Sequence, residues 1–91
     1  MNGHTNWRIV IRRKPLRVLS RLPVPLRRRL SDAINTLSQN PFPPNSTRLS
    51  EFEDTYRLRV GSWRIIYALE NEQLIVLVTR ISARGDAYKD L

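Results

Sequence analysis

Cysteine is absent from the 91-residue sequence. Disulfide cross-links and thiolate chemistry are excluded with it, and a reducing cytoplasm is the expected compartment. No apolar run approaches the ~20 residues that a membrane span needs. The amino-terminal MNGHTNWR has no apolar core of the kind a secretory signal carries, and no membrane association is expected. Histidine occurs once, at His4, in a terminus expected to fray, so it is set aside as a proton carrier. No two carboxylates stand at catalytic spacing. Glu51, Glu53 and Asp54 fall together in one loop where solvation is the ordinary fate. No metal site and no cofactor are expected, and the length leaves no room for a cofactor-binding domain. Asn45-Ser46-Thr47 matches the glycosylation pattern, which is frequent by chance and has no meaning in a cytoplasmic protein.

Acidic residues are also scarce, and unevenly so. Sixteen Lys+Arg stand against eight Asp+Glu, for a net charge of +8. Only Lys14 and Lys89 are lysines; the other basic residues are arginines, whose planar fork suits bidentate contact with phosphate. Before Asp32 there is no carboxylate at all, whereas Arg8, Arg12, Arg13, Lys14, Arg17, Arg21, Arg27, Arg28 and Arg29 all precede it. Such a balance points to a polyanionic partner, nucleic acid or an acidic protein.

The full sequence, 41% hydrophobic, describes one small globular domain over residues 1–91. Trp7 to Arg12 alternates as a strand. Pro15 suits the first turn of a helix, with Leu16, Leu19 and Leu22 on one side and Arg13, Arg17 and Arg21 on another. Pro23 and Pro25 end that helix and start a second, in which Leu26, Leu30, Ala33, Ile34 and Leu37 recur at the helical period as far as Asn40-Pro41. NPFPPNST is a loop by composition. After a hairpin and a turn around Asn71-Glu72, LIVLVTRI (74–81) is apolar on both faces and belongs inside the sheet. The expected class is α+β: two amino-terminal helices on one face of a four-stranded, mainly antiparallel sheet, with the opposite face partly open.

The hairpin, YRLRVGSWRIIYAL (56–69), carries the sharpest signal. A two-residue turn at Gly61-Ser62 pairs Val60 with Trp63, Arg59 with Arg64, Leu58 with Ile65, Arg57 with Ile66 and Tyr56 with Tyr67. Directly opposed residues share a face. Tyr56, Leu58, Val60, Trp63, Ile65 and Tyr67 therefore form an apolar face, and Arg57, Arg59 and Arg64 gather on the other. Like charges held opposite one another destabilise a sheet, so the arrangement calls for a ligand. A plain polar strand face would carry Arg57 and Arg59 as well, and Arg80 is left outside the group as a partner for a nearby acid. Trp7 and Trp63 are assigned to the core.

The order of strand, helical hairpin, NP-containing loop, YRLRVGSWRIIY, LIVLVTRIS and a closing ARGDAY resembles the RelE/ParE toxin superfamily across the whole chain. The resemblance implies the toxin half of a type II toxin–antitoxin pair, a ribosome-dependent mRNA endoribonuclease cutting in the A site by attack of the neighbouring 2′-hydroxyl. It implies Arg64, Arg84 and Tyr88 as catalytic residues and Arg57 and Arg59 as RNA-phosphate contacts. Arginines already held together favour the charge that accumulates on a five-coordinate phosphorus over the ground state. Tyr88 and Arg84 are then the candidate proton handlers, with Tyr88 alternatively stacking on a base or packing in the core.

The implied partners are a RelB-like antitoxin with an acidic or amphipathic segment, the ribosome and mRNA, and operator DNA only through the antitoxin complex. Where many members carry Gly-His-Arg, this chain has Ser82-Ala83-Arg84, and Gly85 replaces a second charged residue. Any acid–base role of that histidine is therefore absent. Two alternatives stay open: a ParE-like poison of DNA gyrase, and a non-catalytic basic module that only binds antitoxin and operator DNA.

Overall fold

Prolines set the helix boundaries. In the computed structural model, which describes residues 6–83, α1 (Arg13–Ser20) carries Pro15 in its first turn. The second helix, α2 (Val24–Thr36), follows Pro23 at its N-cap and has Pro25 in its first turn. A proline in a first turn removes an N–H that has no intrahelical acceptor. Helix α2 ends at Thr36, and the chain continues to Gln39 in turns rather than helix.

Five strands make one sheet: β1 (Arg8–Ile11), β2 (Ser46–Arg48), β3 (Thr55–Val60), β4 (Trp63–Glu70) and β5 (Ile75–Ala83). Their order is β1-β5-β4-β3-β2, with β1 parallel to β5 and every other pair antiparallel. The α+β class and the mainly antiparallel sheet are as expected. The count is five rather than four, because Ser46–Arg48 leaves the proline-rich loop and pairs with Leu58, Arg57 and Tyr56. Composition made the whole segment a loop, but Pro and Asn end at position 45, and the three residues beyond it are free to cover the edge of β3.

The core lies between the helices and one face of the sheet. Leu19, Leu30, Ile34 and Leu37 meet Leu58, Val60, Ile65, Tyr67, Leu69, Val76, Val78 and Ile81, all buried. Each such aliphatic side chain contributes about 1.5–3 kcal/mol on burial. In α1 the core-facing stripe runs through Pro15, Val18 and Leu19 and continues to Leu22 just past the helix end, whereas Leu16 is 49% exposed. That stripe keeps the i, i+3, i+4, i+7 spacing from Pro15, and Leu16 is turned off it. Tyr67 stacks on Tyr56, which meets the exposed Phe42 edge-on, closing the core beside β2. The start of β1 is tied to the end of α2 by Trp7 N–H to the Ser38 carbonyl (2.7 Å) and Ser38 Oγ to the Trp7 carbonyl (2.8 Å).

Candidate functional site

The β3–β4 hairpin has the register read from the sequence: Arg59 opposite Arg64, Arg57 opposite Ile66, with Gly61 at φ +61° in the turn. A left-handed residue in a two-residue hairpin loop is most cheaply glycine. Because opposed residues share a face, Arg57, Arg59 and Arg64 stand together on the side of the sheet away from α1 and α2. Arg59 is exposed; Arg57 and Arg64 are half-buried.

Strand β5 adds a cation that the sequence reading left out. Tyr67 faces Val78 but Ile66 faces Arg80, so Thr79 is an extra residue, a β-bulge, and its Oγ1 donates to the Ile66 carbonyl (3.2 Å). Strict alternation after Val76 and Val78 would send Arg80 to the core face. The bulge resets the phase, placing Ile81 in the core and Arg80 and Ser82 on the arginine face. The signal was present in the three-residue step between the two apolar residues Val78 and Ile81. The open face thus carries two adjacent cross-strand rows, Thr47–Arg57–Ile66–Arg80 and Arg59–Arg64–Ser82. The Ser82 hydroxyl oxygen is buried and has no hydrogen-bond partner among the described residues.

Two open depressions run along this edge and share Arg59. One, of about 430 Å³, is lined by Arg59, Gly61, Ser62 and Arg64. The other, of about 200 Å³, is lined by Pro44, Asn45, Thr47, Arg57 and Arg59. Among the described residues no carboxylate lines either. Asn45, set aside in the sequence as a chance glycosylation match, holds Arg59 in place: its side-chain amide donates to the Arg59 carbonyl (2.7 Å) and its own carbonyl accepts the Arg59 N–H (3.0 Å). At the far end of the sheet, Glu53, Asp54, Glu70 and Glu72 surround a depression of about 440 Å³. There Asn71 Nδ2 donates to Asp54 Oδ2 (3.2 Å).

Arg84 and Tyr88, like His4, lie outside the described residues. Of the tyrosines within them, Tyr67 is fully buried and donates its hydroxyl to the Pro41 carbonyl at 2.7 Å. Burial raises its phenol above the ordinary tyrosine value, an effect the Ser46 hydroxyl lowers in part and Tyr56 reinforces. That hydroxyl is a structural donor facing the core, not the open face. Among the described residues no helix is long and apolar enough to cross a membrane.

Comparison with known proteins gives a consistent result. The family model for the ParE toxin of type II toxin–antitoxin systems matches residues 21–88. A relative from Methanocaldococcus jannaschii, "Putative toxin RelE1", is 30% identical over 87 residues, covering 92% of this chain and 97% of its own length. Among solved structures, the archaeal RelE–RelB complex from Pyrococcus horikoshii contains a chain that superposes with a TM-score of 0.79 at 24% identity. The match covers 89% of this chain and 98% of that one. The isolated RelE toxin of E. coli superposes with a TM-score of 0.75 at 17% identity, covering 92% and 93%. At these identities the superpositions establish a common fold.

Proposed function

The chain belongs to the RelE/ParE toxin superfamily of type II toxin–antitoxin systems, and on that premise we propose that it is an endoribonuclease cutting mRNA in the ribosomal A site. The observation that carries this reading is the placement of Arg59 directly across from Arg64, with Arg57 and Arg80 in the adjacent row. In cleavage by the neighbouring 2′-hydroxyl, the 2′ oxygen attacks phosphorus and loses its proton. The bond to the 5′ oxygen breaks, and that oxygen takes up a proton. Negative charge on the non-bridging oxygens peaks in between. Guanidiniums fixed on two paired strands meet that charge with no reorganisation, which lowers the barrier rather than merely tightening ground-state binding.

Arg64 is assigned to the transition-state oxygens, with Arg57 and Arg59 holding the phosphate backbone. Arg84 and Tyr88 are assigned to the proton transfers or, for Tyr88, to stacking on a base. Tyr67 is unsuited to proton transfer, since its hydroxyl is spent on Pro41 and its phenol is shifted upward. Tyrosine and arginine side chains ordinarily hold their protons well above neutral pH, so neither residue type is an ideal proton carrier there. Positioning of the substrate by the ribosome supplies what the side chains lack.

A relative on this fold has been solved with RelB. The partner proposed here is likewise a RelB-like antitoxin whose acidic or amphipathic segment covers α1, α2 and the arginine face. A second reading, poisoning of DNA gyrase, is favoured by the matched family model itself, which is that of ParE. Primer extension on an mRNA translated in the presence of the protein separates the two. Cuts within codons support the nuclease. Intact mRNA together with arrested supercoiling by gyrase replaces it with the ParE-type activity.

A further inference from the structure

At the hairpin tip a side chain from the helical layer reaches Gly61. A Cβ built on Gly61 would lie 3.0 Å from Nη2 of Arg29 and 3.3 Å from both its Cζ and Nη1. The guanidinium of Arg29 therefore sits beside Gly61, where the side chain of any other residue would begin. Gly61, whose φ of +61° favours glycine, is also a wall of the depression that Arg59 and Arg64 line. Arg29 is exposed, and no hydrogen bond or ion pair holds it among the described residues. Its neighbour Arg27 differs: it is half-buried, and its Nη1 donates to the Ser20 carbonyl (3.4 Å).

We propose that Arg29 is a substrate-positioning residue that holds the RNA phosphodiester adjoining the one placed between Arg59 and Arg64. Single-stranded RNA then passes round the hairpin tip, from the open face towards α2. The physical case rests on three points. Arg29 is exposed beside the tip, and a guanidinium binds phosphate through its N–H edge. Its cationic charge adds to a tip whose depression has no carboxylate in its lining among the described residues. Because it comes from α2 rather than from β3 or β4, it contacts a different point on the polymer from the strand arginines and so fixes direction as well as affinity. The proposal rests on the nuclease reading for which phosphate is cleaved, but the RNA contact itself is measured without cleavage.

The experiment compares wild type, Arg29→Ala, Arg29→Lys and Arg28→Ala. Arg28 is an exposed arginine one position back on the same helix, about 100° away around its axis. The probe for binding is an eight-nucleotide 2′-O-methyl oligouridine, which cannot be cut, titrated at several salt concentrations. Arg29→Ala is expected to weaken binding about tenfold at low salt and to flatten the log–log salt slope by ~0.7, the loss of one single-strand phosphate contact. Arg28→Ala should leave the slope unchanged, and Arg29→Lys should keep the slope while recovering part of the affinity. On ribosomes programmed with mRNA, Arg29→Ala should raise the protein concentration for half-maximal cleavage while leaving the saturating single-turnover rate within about twofold.

Equal effects of Arg28→Ala and Arg29→Ala would reduce Arg29 to a share of the general field and overturn the proposal. A wild type that does not bind the oligonucleotide at low salt overturns it as well, as does an Arg29→Ala variant that is impaired only in binding antitoxin. If no variant cuts mRNA but the oligonucleotide slope still drops for Arg29→Ala alone, the nuclease reading fails and the RNA contact at Arg29 stands.

Discussion

Arg59 lies directly across the β3–β4 hairpin from Arg64, on the face of the sheet away from both helices. The pair is built into a ladder whose register is fixed from the other side, where Leu58, Val60 and Ile65 are buried. A slip of one residue would turn those three to solvent, so the core holds the two arginines opposite each other in the ladder.

Replacing Arg64 by Ala therefore removes a repulsion without touching the core. Thermal unfolding is expected at or slightly above the wild-type temperature, while single-turnover cleavage of mRNA in the ribosomal A site falls about 10²–10³-fold, the scale of one preorganised donor to a developing oxyanion. Cleavage at the wild-type rate would show that the arginine face is not catalytic.

The bulge at Thr79 makes a stronger structural prediction. Deleting Thr79 restores strict alternation in β5 and turns Arg80 and Ser82 towards the core. Burying a charge without a partner costs several kcal/mol, so the deletion variant should fail to fold, as read by circular dichroism. Thr79→Ala keeps the extra residue and gives up only the hydrogen bond to the Ile66 carbonyl. It should unfold in urea with a loss of about 1 kcal/mol. A folded, active deletion variant would mean that the bulge does not set the phase of β5.

Tyr67 links stability to alkaline pH. Its pKa is raised in the folded protein above the unfolded value of 10.0, so the protonated form is favoured by folding. The stabilisation is complete below pH 10 and is lost as pH rises from there through the higher folded value. Tyr67→Phe should lower stability at neutral pH by about 1–3 kcal/mol, because the buried Pro41 carbonyl loses its donor. The same variant should lose that part of the alkaline decline. Urea unfolding at pH 8 and at pH 10.5, for both proteins, gives the comparison.

Antitoxin binding has a direct chemical readout. In the free protein Arg59 is open to phenylglyoxal, and Arg57 and Arg64 are partly so. In the complex all three should be protected, as measured by mass spectrometry of the modified peptides. Modification to the same extent with and without the antitoxin would place the partner elsewhere.

The apolar and basic faces of the hairpin were legible in the sequence because period-two alternation and a two-residue turn leave a single register that buries Leu58, Val60 and Ile65. The helices were legible through their prolines, though Pro15 rather than Leu16 begins the buried stripe of α1. What escaped were features set by neighbours rather than by local pattern. Strand β2 exists because β3 has a free edge, not because Ser46–Arg48 prefers to be extended. Arg80 joins the site through a bulge that only the packing of Val78 and Ile81 explains. Asn45 matters through a bond to a residue 14 positions away. Arg29 meets the hairpin tip only once α2 has packed on the sheet.

The four carboxylates at the far end of the sheet have a consequence for how the protein meets its target. Strand β3 alone spans about 20 Å, with Asp54 just before its first residue and Gly61 just after its last. Among the described residues, Asp54 and Glu70 at one end of the β3–β4 hairpin and Arg59 and Arg64 at the other give the hairpin a charge gradient along its strands. If the target is a polyanion, that gradient adds a torque to the attraction and favours an approach with the hairpin tip foremost. Orientation is then partly settled during approach, at distances where salt still governs the field. The encounter rate accordingly depends on ionic strength through the arrangement of charge and not only through its total.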